Sequence, residues 1–540
     1  MFKSKITSSL EKVFLDESFD KYPTLERISA LRGERISVQL VYLHEVDEEN
    51  RPFLMYRPTL SGELAKYATV RDVKNVAVQK PVGVKYDDNY IRVKPGLYPD
   101  LLVPLGDNNS FCATDGALSA LWIEITIPEE GCVGEKELTV SVTRISNGEQ
   151  VSENSVTVDV IDAVLPEQKL IYTQWLYTES LTKYYGVKDF SPRYWEIVEN
   201  YLMTAVRNGM NALYCFVLGY LVKIKRENEK YYFDYKNLDK WIDIANKHGI
   251  KYFEIEHFFR PGGAHYAVAA TYIEKGKKKS FAGKRGSDPE YVDFLRAFLT
   301  DFVAHMKERG DDKRCLYHIS DEPSKAAVDI FRNARNSIID IIGEYTILDA
   351  IFDIDYWSEG LVSSPVPIVD NIEPFIEAKV DPLWTYYCCG PQTRCSNRFI
   401  AQSSACTRSI GMQMYKYNII GFLHWALNYY GKYEDSGILN PYVDLSGNNW
   451  VPAGDTFTVY PANDGTPYES IRLLVFNDAL QDMRAMSLCE KMYSHEEVVS
   501  AIDEVFGEPL KFSTCAKTSE KMLVIRERIN KMIKDKICLS

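Results

Sequence analysis

Hydrophobic side chains in this chain repeat with two different periods, and the change between them near Leu165-Pro166 limits the fold more than any other feature. From about residue 34 to 161 the period is two. Leu121, Ile123, Ile125 and Ile127 alternate with Trp122, Glu124 and Thr126, and Val156, Val158 and Val160 alternate with Thr157 and Asp159. Successive side chains of a strand point to opposite faces, so this alternation predicts half-buried strands. Asn147-Gly148 lies between two such runs, where both residues tolerate the positive φ of a tight hairpin. Residues 1–165 therefore read as a β-sandwich.

After Pro166, short apolar runs alternate with helical sequence. A helix opens at Ser191-Pro192, carries Tyr194, Val198, Tyr201, Leu202 and Ala205 on one face and stops at Gly209. A second opens at Pro289, repeats Leu295, Phe298, Leu299, Phe302 and Met306, and closes at Gly310. The strand candidates are 170–177, 211–218, 251–258, 315–320, 346–353, 366–370, 382–389 and 418–425. Eight strands alternating with helices predict a (β/α)₈ TIM-type barrel over 166–468, with chemistry at the carboxyl ends of the strands. The spacing from 353 to 382 is short for full helices. Residues 469–540, with Ile471, Leu474, Val475, Leu480 and Met483, predict a helical C-terminal extension packed on the barrel.

The 63 basic against 76 acidic side chains leave a net charge of −13, which argues against a nucleic-acid partner. No apolar run reaches the roughly 18 residues of a membrane span, and the first residues lack the apolar stretch of an export signal. Eleven cysteines, an odd number that includes the adjacent pair Cys388 and Cys389, fit reduced thiols, so a cytoplasmic protein is expected. The Lys-rich run 275–285 reads as a solvated loop, with a lid over the site as the alternative. A Gly-rich phosphate loop, HExxH, CxxC and GxSxG are absent from the sequence, and no spacing of His, Asp and Glu suits a metal, so no cofactor is expected.

The search for chemistry thus narrows to carboxylates. Asp321-Glu322 ends the fourth strand candidate, and Pro323 then takes the chain out of the ladder. The same pair would also suit a helix N-terminus at Ser324. Glycosidases that use two carboxyl groups hold them across the sugar, about 5–5.5 Å or 6.5–9.5 Å apart. Neighbouring residues, with Cα atoms about 3.8 Å apart, approach from one side. A nucleophile must then come from another strand, for example Asp353 or Asp370, or from the substrate, whose 2-acetamido oxygen can reach the anomeric carbon. Close like charges raise one pKa, which suits a general acid near neutral pH.

The strings QWLYTESLTKYYGVKDFSPRYWE (174–196), HISDEPS (318–324), LWTYYCC (383–389), SNRF (396–399), GFLHWALNYY (421–430) and GDTFTVYP (454–461) resemble bacterial proteins with domain of unknown function 4091. They are similar to glycoside hydrolase family 123, the β-N-acetylgalactosaminidases. IRLLVFNDALQDMRAM (471–486), LRGERISVQL (31–40) and PGLYPDLL (95–102) extend the likeness over nearly the whole chain. Two places depart from it: FFRPGGAHY (258–266) lacks an expected Trp, and Ala462 stands where Gly is usual. The resemblance implies a β-sandwich followed by a catalytic barrel. It implies removal of terminal β-linked N-acetylgalactosamine from a glycan or glycoconjugate by a substrate-assisted, retaining mechanism. It assigns Asp321 to orient the amide and stabilise the intermediate, and Glu322 as general acid/base.

The chain holds 36 Tyr, 24 Phe and 8 Trp, flat faces that suit sugar rings as well as cores. Trp175 and Tyr177 end the first strand, Trp384, Tyr386 and Tyr387 the seventh, and Trp425, Asn428 and Tyr430 the eighth. Alternation turns only half of them toward the barrel axis. Trp425 is the preferred sugar platform and Tyr387 the preferred donor to the amide carbonyl. His257 is placed to meet a sugar hydroxyl, while His318 and His424 lie within strands and read as structural. Glu256, Asp353, Asp370 and Glu373 are spare acids, with ion pairs or helix caps as their ordinary roles. A non-catalytic carbohydrate-binding protein, or a glycosidase pairing Glu322 with Asp353 or Asp370, are the competing readings.

Overall fold

The computed structural model describes residues 1–46, 52–432 and 437–539, and the chain divides into two compact units. The first comprises 1–169, 392–416 and 430–540; the second comprises 170–391 and 417–429.

In the first unit, two five-stranded sheets enclose a common core. One runs Phe2–Ser8, Arg35–His44, Leu118–Thr126, Ala68–Val78 and Gly96–Pro104; the other runs Arg27–Arg32, Gln150–Val164, Gly134–Arg144, Phe53–Ser61 and Phe111–Thr114. Leu121, Ile123 and Ile125 meet Val140, Val156 and Val158 in that core, as the alternation predicts. Gly148, at φ 73°, makes the hairpin between Gly134–Arg144 and Gln150–Val164. Trp122, expected on an open face, is buried as well, because Ile471, Leu474 and Val475 of helix Ile471–Cys489 cover that side of the sheet.

Helices Ile471–Cys489, His495–Phe506 and Ser519–Leu539 therefore share the sandwich's core, where the sequence suggested packing on the barrel. Segments 392–416 and 430–468, expected within the barrel domain, belong to this unit too. The reason is a buried ionic cluster as well as apolar contact. Arg408 donates to both oxygens of Asp482 at 2.7 and 2.8 Å, and Arg526 bridges Asp482 at 2.9 Å and Glu34 at 2.8 Å. Charges removed from water require partners, so these pairs fix which surfaces can meet.

The second unit is built on eight parallel strands: Ile171–Gln174, Ala212–Cys215, Tyr252–Ile255, Cys315–Tyr317, Thr346–Ile351, Ser364–Pro367, Trp384–Tyr386 and Gly421–His424. Apart from the sixth and seventh, sequence neighbours pair with one another, and the eighth pairs with the first. Between the sixth and seventh the seam is held by the bridge of Ile368 to Tyr386 and by Val369 N–H donating to Tyr386 O at 3.0 Å. The result is a nearly closed barrel. Full helices such as Pro192–Arg207, Lys236–Lys247 and Pro289–Arg309 accompany the early strands. Only single turns, Asp355–Ser358 and Glu373–Glu377, separate the fifth, sixth and seventh. The expected regular (β/α)₈ pattern gives way there, because those connections are barely as long as a crossover with its helix. No helix among the described residues is long and apolar enough to cross a membrane.

Part of the Lys-rich run, read from sequence as a loop, is a strand. Lys277–Ser280 is the edge strand of a small sheet ordered Lys230–Asp234, Lys223–Glu227, Thr271–Glu274, Lys277–Ser280. Tyr231 and Phe233 anchor this sheet on Phe294 and Phe298, with ring centroids 5.1 and 5.4 Å apart. Lysines on an exposed edge discourage pairing with another chain.

Within the barrel, Trp384 fills the interior against Leu316, Leu348, Val366 and Leu423. Gly421 makes room for it: a Cβ there would lie 2.0 Å from the indole. Gly421→Ala is expected to destabilise the protein by about 1–3 kcal/mol through overpacking, measured by chemical denaturation.

Candidate active site

The strand Cys315–Tyr317 ends at His318, and the next residues, 319–322, carry the acidic pair at the carboxyl end of the barrel. Glu322 adopts φ 43°, a left-handed conformation that costs a non-glycine residue about 1–3 kcal/mol and recurs at functional sites. Its N–H donates to Ala350 O at 3.0 Å on the fifth strand, and its carboxylate accepts from the Tyr386 hydroxyl. The connection after the third strand braces the same turn. Gly262 N–H donates to Asp321 O at 2.8 Å, and the Ser320 hydroxyl accepts from Gly263 and Ala264 N–H at 3.2 and 3.0 Å while donating to Arg260 O at 2.7 Å. Gly263 is required in this loop: its φ is 108°, and a Cβ would lie 2.3 Å from that of Ala327.

Beneath the pair lies a buried polar network. His318 approaches Glu254 Oε1 through Nε2 at 2.9 Å and Asp349 Oδ1 through Nδ1 at 3.2 Å. Carboxylates only accept, so both ring nitrogens donate and the ring is an imidazolium. Burial alone would depress its pKa, but the two acids outweigh that and raise it to about 9. Glu254 also accepts from Trp175 Nε1 at 2.9 Å and from the Thr173 hydroxyl. Ile319 N–H reaches Asp349 Oδ2 at 3.0 Å.

His257 lies against His318 with ring centroids 4.3 Å apart and the rings tilted by 37°. Burial, reinforced by the neighbouring cation, holds its pKa well below the usual value, so it is neutral. Its Nδ1 lies 3.3 Å from the Tyr214 hydroxyl, and its Nε2 lies 3.9 Å from both Asp321 and Asp349. Burial first, and the Glu322 charge second, raise the Asp321 pKa to about 8, although 28% of that side chain remains exposed.

His257, His318 and Asp349 come close enough for one donor atom of each to reach a single cation. A ligand imidazole must offer a lone pair, and both nitrogens of His318 are occupied as donors.

The remaining sequence candidates separate clearly. Trp175 and Tyr386 belong with the interior cluster, Trp175 half-buried on Tyr214 with centroids 4.5 Å apart. Tyr387, the preferred donor to the amide carbonyl, lies on the outer face against Phe422 and His424, at 4.9 and 5.6 Å, and the tyrosine that reaches Glu322 is Tyr386. Trp384 is core. Tyr177 and Trp425, half-buried, share an aromatic group with Tyr429, each 5.2 Å from it. Asn428 is buried and serves Tyr177: it accepts from its N–H at 2.8 Å and donates to its carbonyl at 3.1 Å. Tyr430 belongs to the first unit, where its hydroxyl donates to Val459 O at 2.8 Å.

Among the spare acids, Asp353 accepts from Asp355 N–H at 3.0 Å and pairs with Lys325 at 3.3 Å, a helix-cap and ion-pair role. Asp370 and Glu373 are exposed. Glu256 holds the backbone N–H of Leu218, and burial lifts its pKa to about 7. Glu254 and Asp349 were not singled out from sequence, and His318 read as structural. The signal was present: a lone acid inside an apolar parallel strand, as in YFEI and ILDA, needs a buried partner.

Residues 175–489 match the family model described as glycoside hydrolase 123, catalytic domain. The chain belongs to glycoside hydrolase family 123. It is a glycosidase. Its fold resembles that of a family 123 glycoside hydrolase from Clostridium perfringens, studied for glycolipid glycan hydrolysis, with a TM-score of 0.76 and 16% identity over 100% of this chain and 98% of that one. A Ruminococcus gnavus β-glucuronidase superposes with a TM-score of only 0.32, at 8% identity over 87% of this chain and 72% of the other, too low to bear on the fold. No curated protein matches the sequence significantly.

The raised Asp321 pKa ties stability to pH. Between about pH 4 and about pH 8 the folded protein retains a proton that the unfolded chain has released, so stability falls as pH rises through that window. Asp321→Asn cannot ionise and lacks this slope. Its Tm is expected to exceed that of the wild type at pH 8, with the difference closing toward pH 4 in a calorimetric series.

Proposed function

We propose that this family 123 glycosidase removes a terminal β-linked 2-acetamido-2-deoxyhexose, N-acetylgalactosamine in the first instance, from glycolipid-type glycans, with retention of configuration. The observation that supports the reading is the adjacency of two carboxyl groups just past the carboxyl end of the fourth strand, with Glu322 held by Tyr386, while Asp353 is engaged by Asp355 N–H and Lys325. An acid opposite them is what a two-carboxylate mechanism would need. The substrate's own acetamido oxygen fills that role. The Clostridium relative's action on glycolipid glycans supports the substrate class.

In the first step the amide oxygen attacks the anomeric carbon and the glycosidic bond breaks. The Asp321 carboxylate accepts the amide N–H and stabilises the oxazolinium-type cation, and Glu322 protonates the departing oxygen. Water then opens the intermediate, with Glu322 as base. The Tyr386 hydroxyl donates to Oε1 of Glu322, which leaves Oε2 for the transferred proton. In the free enzyme the proton sits on Asp321, whose pKa burial raises to about 8. The amide N–H favours charge on Asp321 once substrate binds, which places the proton on Glu322.

Glu322→Gln should lower kcat on an aryl β-N-acetylgalactosaminide by about 10²–10⁴-fold or more while substrate still binds. For the wild type, kcat/KM should fall as pH rises through about 8, where Asp321 gives up the proton that passes to Glu322 on substrate binding. An aryl β-galactoside should be a far poorer substrate than its 2-acetamido analogue, and a thiazoline mimic of the bicyclic intermediate should inhibit. Equal rates on the two glycosides would eliminate the substrate-assisted scheme.

A further inference from the structure

We infer that His318 is a positioning residue for the Asp321–Glu322 pair, a buried imidazolium bridging Glu254 and Asp349 that sets how firmly Asp321 holds its proton. The inference rests on the assignment of that pair to catalysis. Every group facing the imidazolium bears on it. Glu254 comes from the third strand and Asp349 from the fifth, at 2.9 and 3.2 Å. Neutral His257 lies against the ring at 4.3 Å, and Tyr214 of the second strand lies 6.5 Å away between ring centroids. Asp321 and Glu322 follow on its own connection, and Tyr386 meets them from the seventh strand.

Two buried carboxylates so near Asp321 would make its ionisation costly, and the imidazolium between them offsets their charge. His257 completes the link. With the Tyr214 hydroxyl donating to Nδ1, the proton of the neutral ring sits on Nε2, which lies 3.9 Å from both Asp321 and Asp349. Asp321 can then become a carboxylate when the oxazolinium forms.

Charge balance gives a test that loss of structure cannot imitate. His318→Gln removes a positive charge, so the alkaline limb of kcat/KM should move to higher pH and kcat should drop. Glu254→Gln keeps an acceptor but removes a negative charge, and Asp349→Asn does the same, so each should move the limb to lower pH. The experiment is a set of pH–rate profiles on an aryl 2-acetamido glycoside for the three variants and the wild type. Opposite displacements support the inference. Unchanged limbs, or displacement in one common direction, overturn it, leaving the function intact if Glu322→Gln is still inactive. If His318→Gln does not fold, the two acid variants decide: a lower limb supports the inference and an unmoved limb defeats it. A wild type inactive on every 2-acetamido glycoside would instead defeat the underlying assignment.

Discussion

Ionisable groups withdrawn from water must neutralise one another, and the carboxyl end of the barrel is organised by that constraint. Glu254, His318 and Asp349 form one hydrogen-bonded unit of two acids and a cation, and Asp321 stands at its edge with its pKa lifted to about 8. Removing any one member strands the others, since an unpaired buried charge is far more costly than a paired one. The Trp175 indole N–H and the Ile319 backbone N–H meet the remaining acceptor capacity, so the ring and both carboxylates have a single arrangement.

On that base the acidic turn is held in a conformation that an isolated peptide would avoid. The left-handed Glu322 is tied through its N–H to the fifth strand and through its carboxylate to the seventh, and the glycine loop after the third strand grips Ser320 and Asp321. Three connections thus fix one turn. The strain at Glu322 persists because the surroundings determine the backbone more strongly than local preference does. The geometry of this turn is therefore set by the fold itself.

The barrel's irregular half shows how little a regular helical layer matters to this arrangement. Between the fifth and seventh strands only single helical turns intervene, yet the strands remain parallel and in order. Packing of Trp384 into the space left by Gly421, and of Tyr386 beside it, supplies the interior contact that aligns the seventh strand with the eighth.

The period-two alternation, the eight apolar runs and the Asp321-Glu322-Pro323 turn were legible in the linear chain, because strand burial and proline geometry are local effects. So was the family, carried by strings such as HISDEPS and GFLHWALNYY. The inward parity of Tyr386 over Tyr387 was not, since alternation predicts that half the side chains face in but not which half. Nor were the partnership of Glu254 with His318, 64 residues apart, the burial of Trp122 under the C-terminal helices, or the membership of Tyr430 in the first unit. Those depend on which distant surfaces meet, and only the folded chain brings a lone strand acid to the cation that makes its burial tolerable.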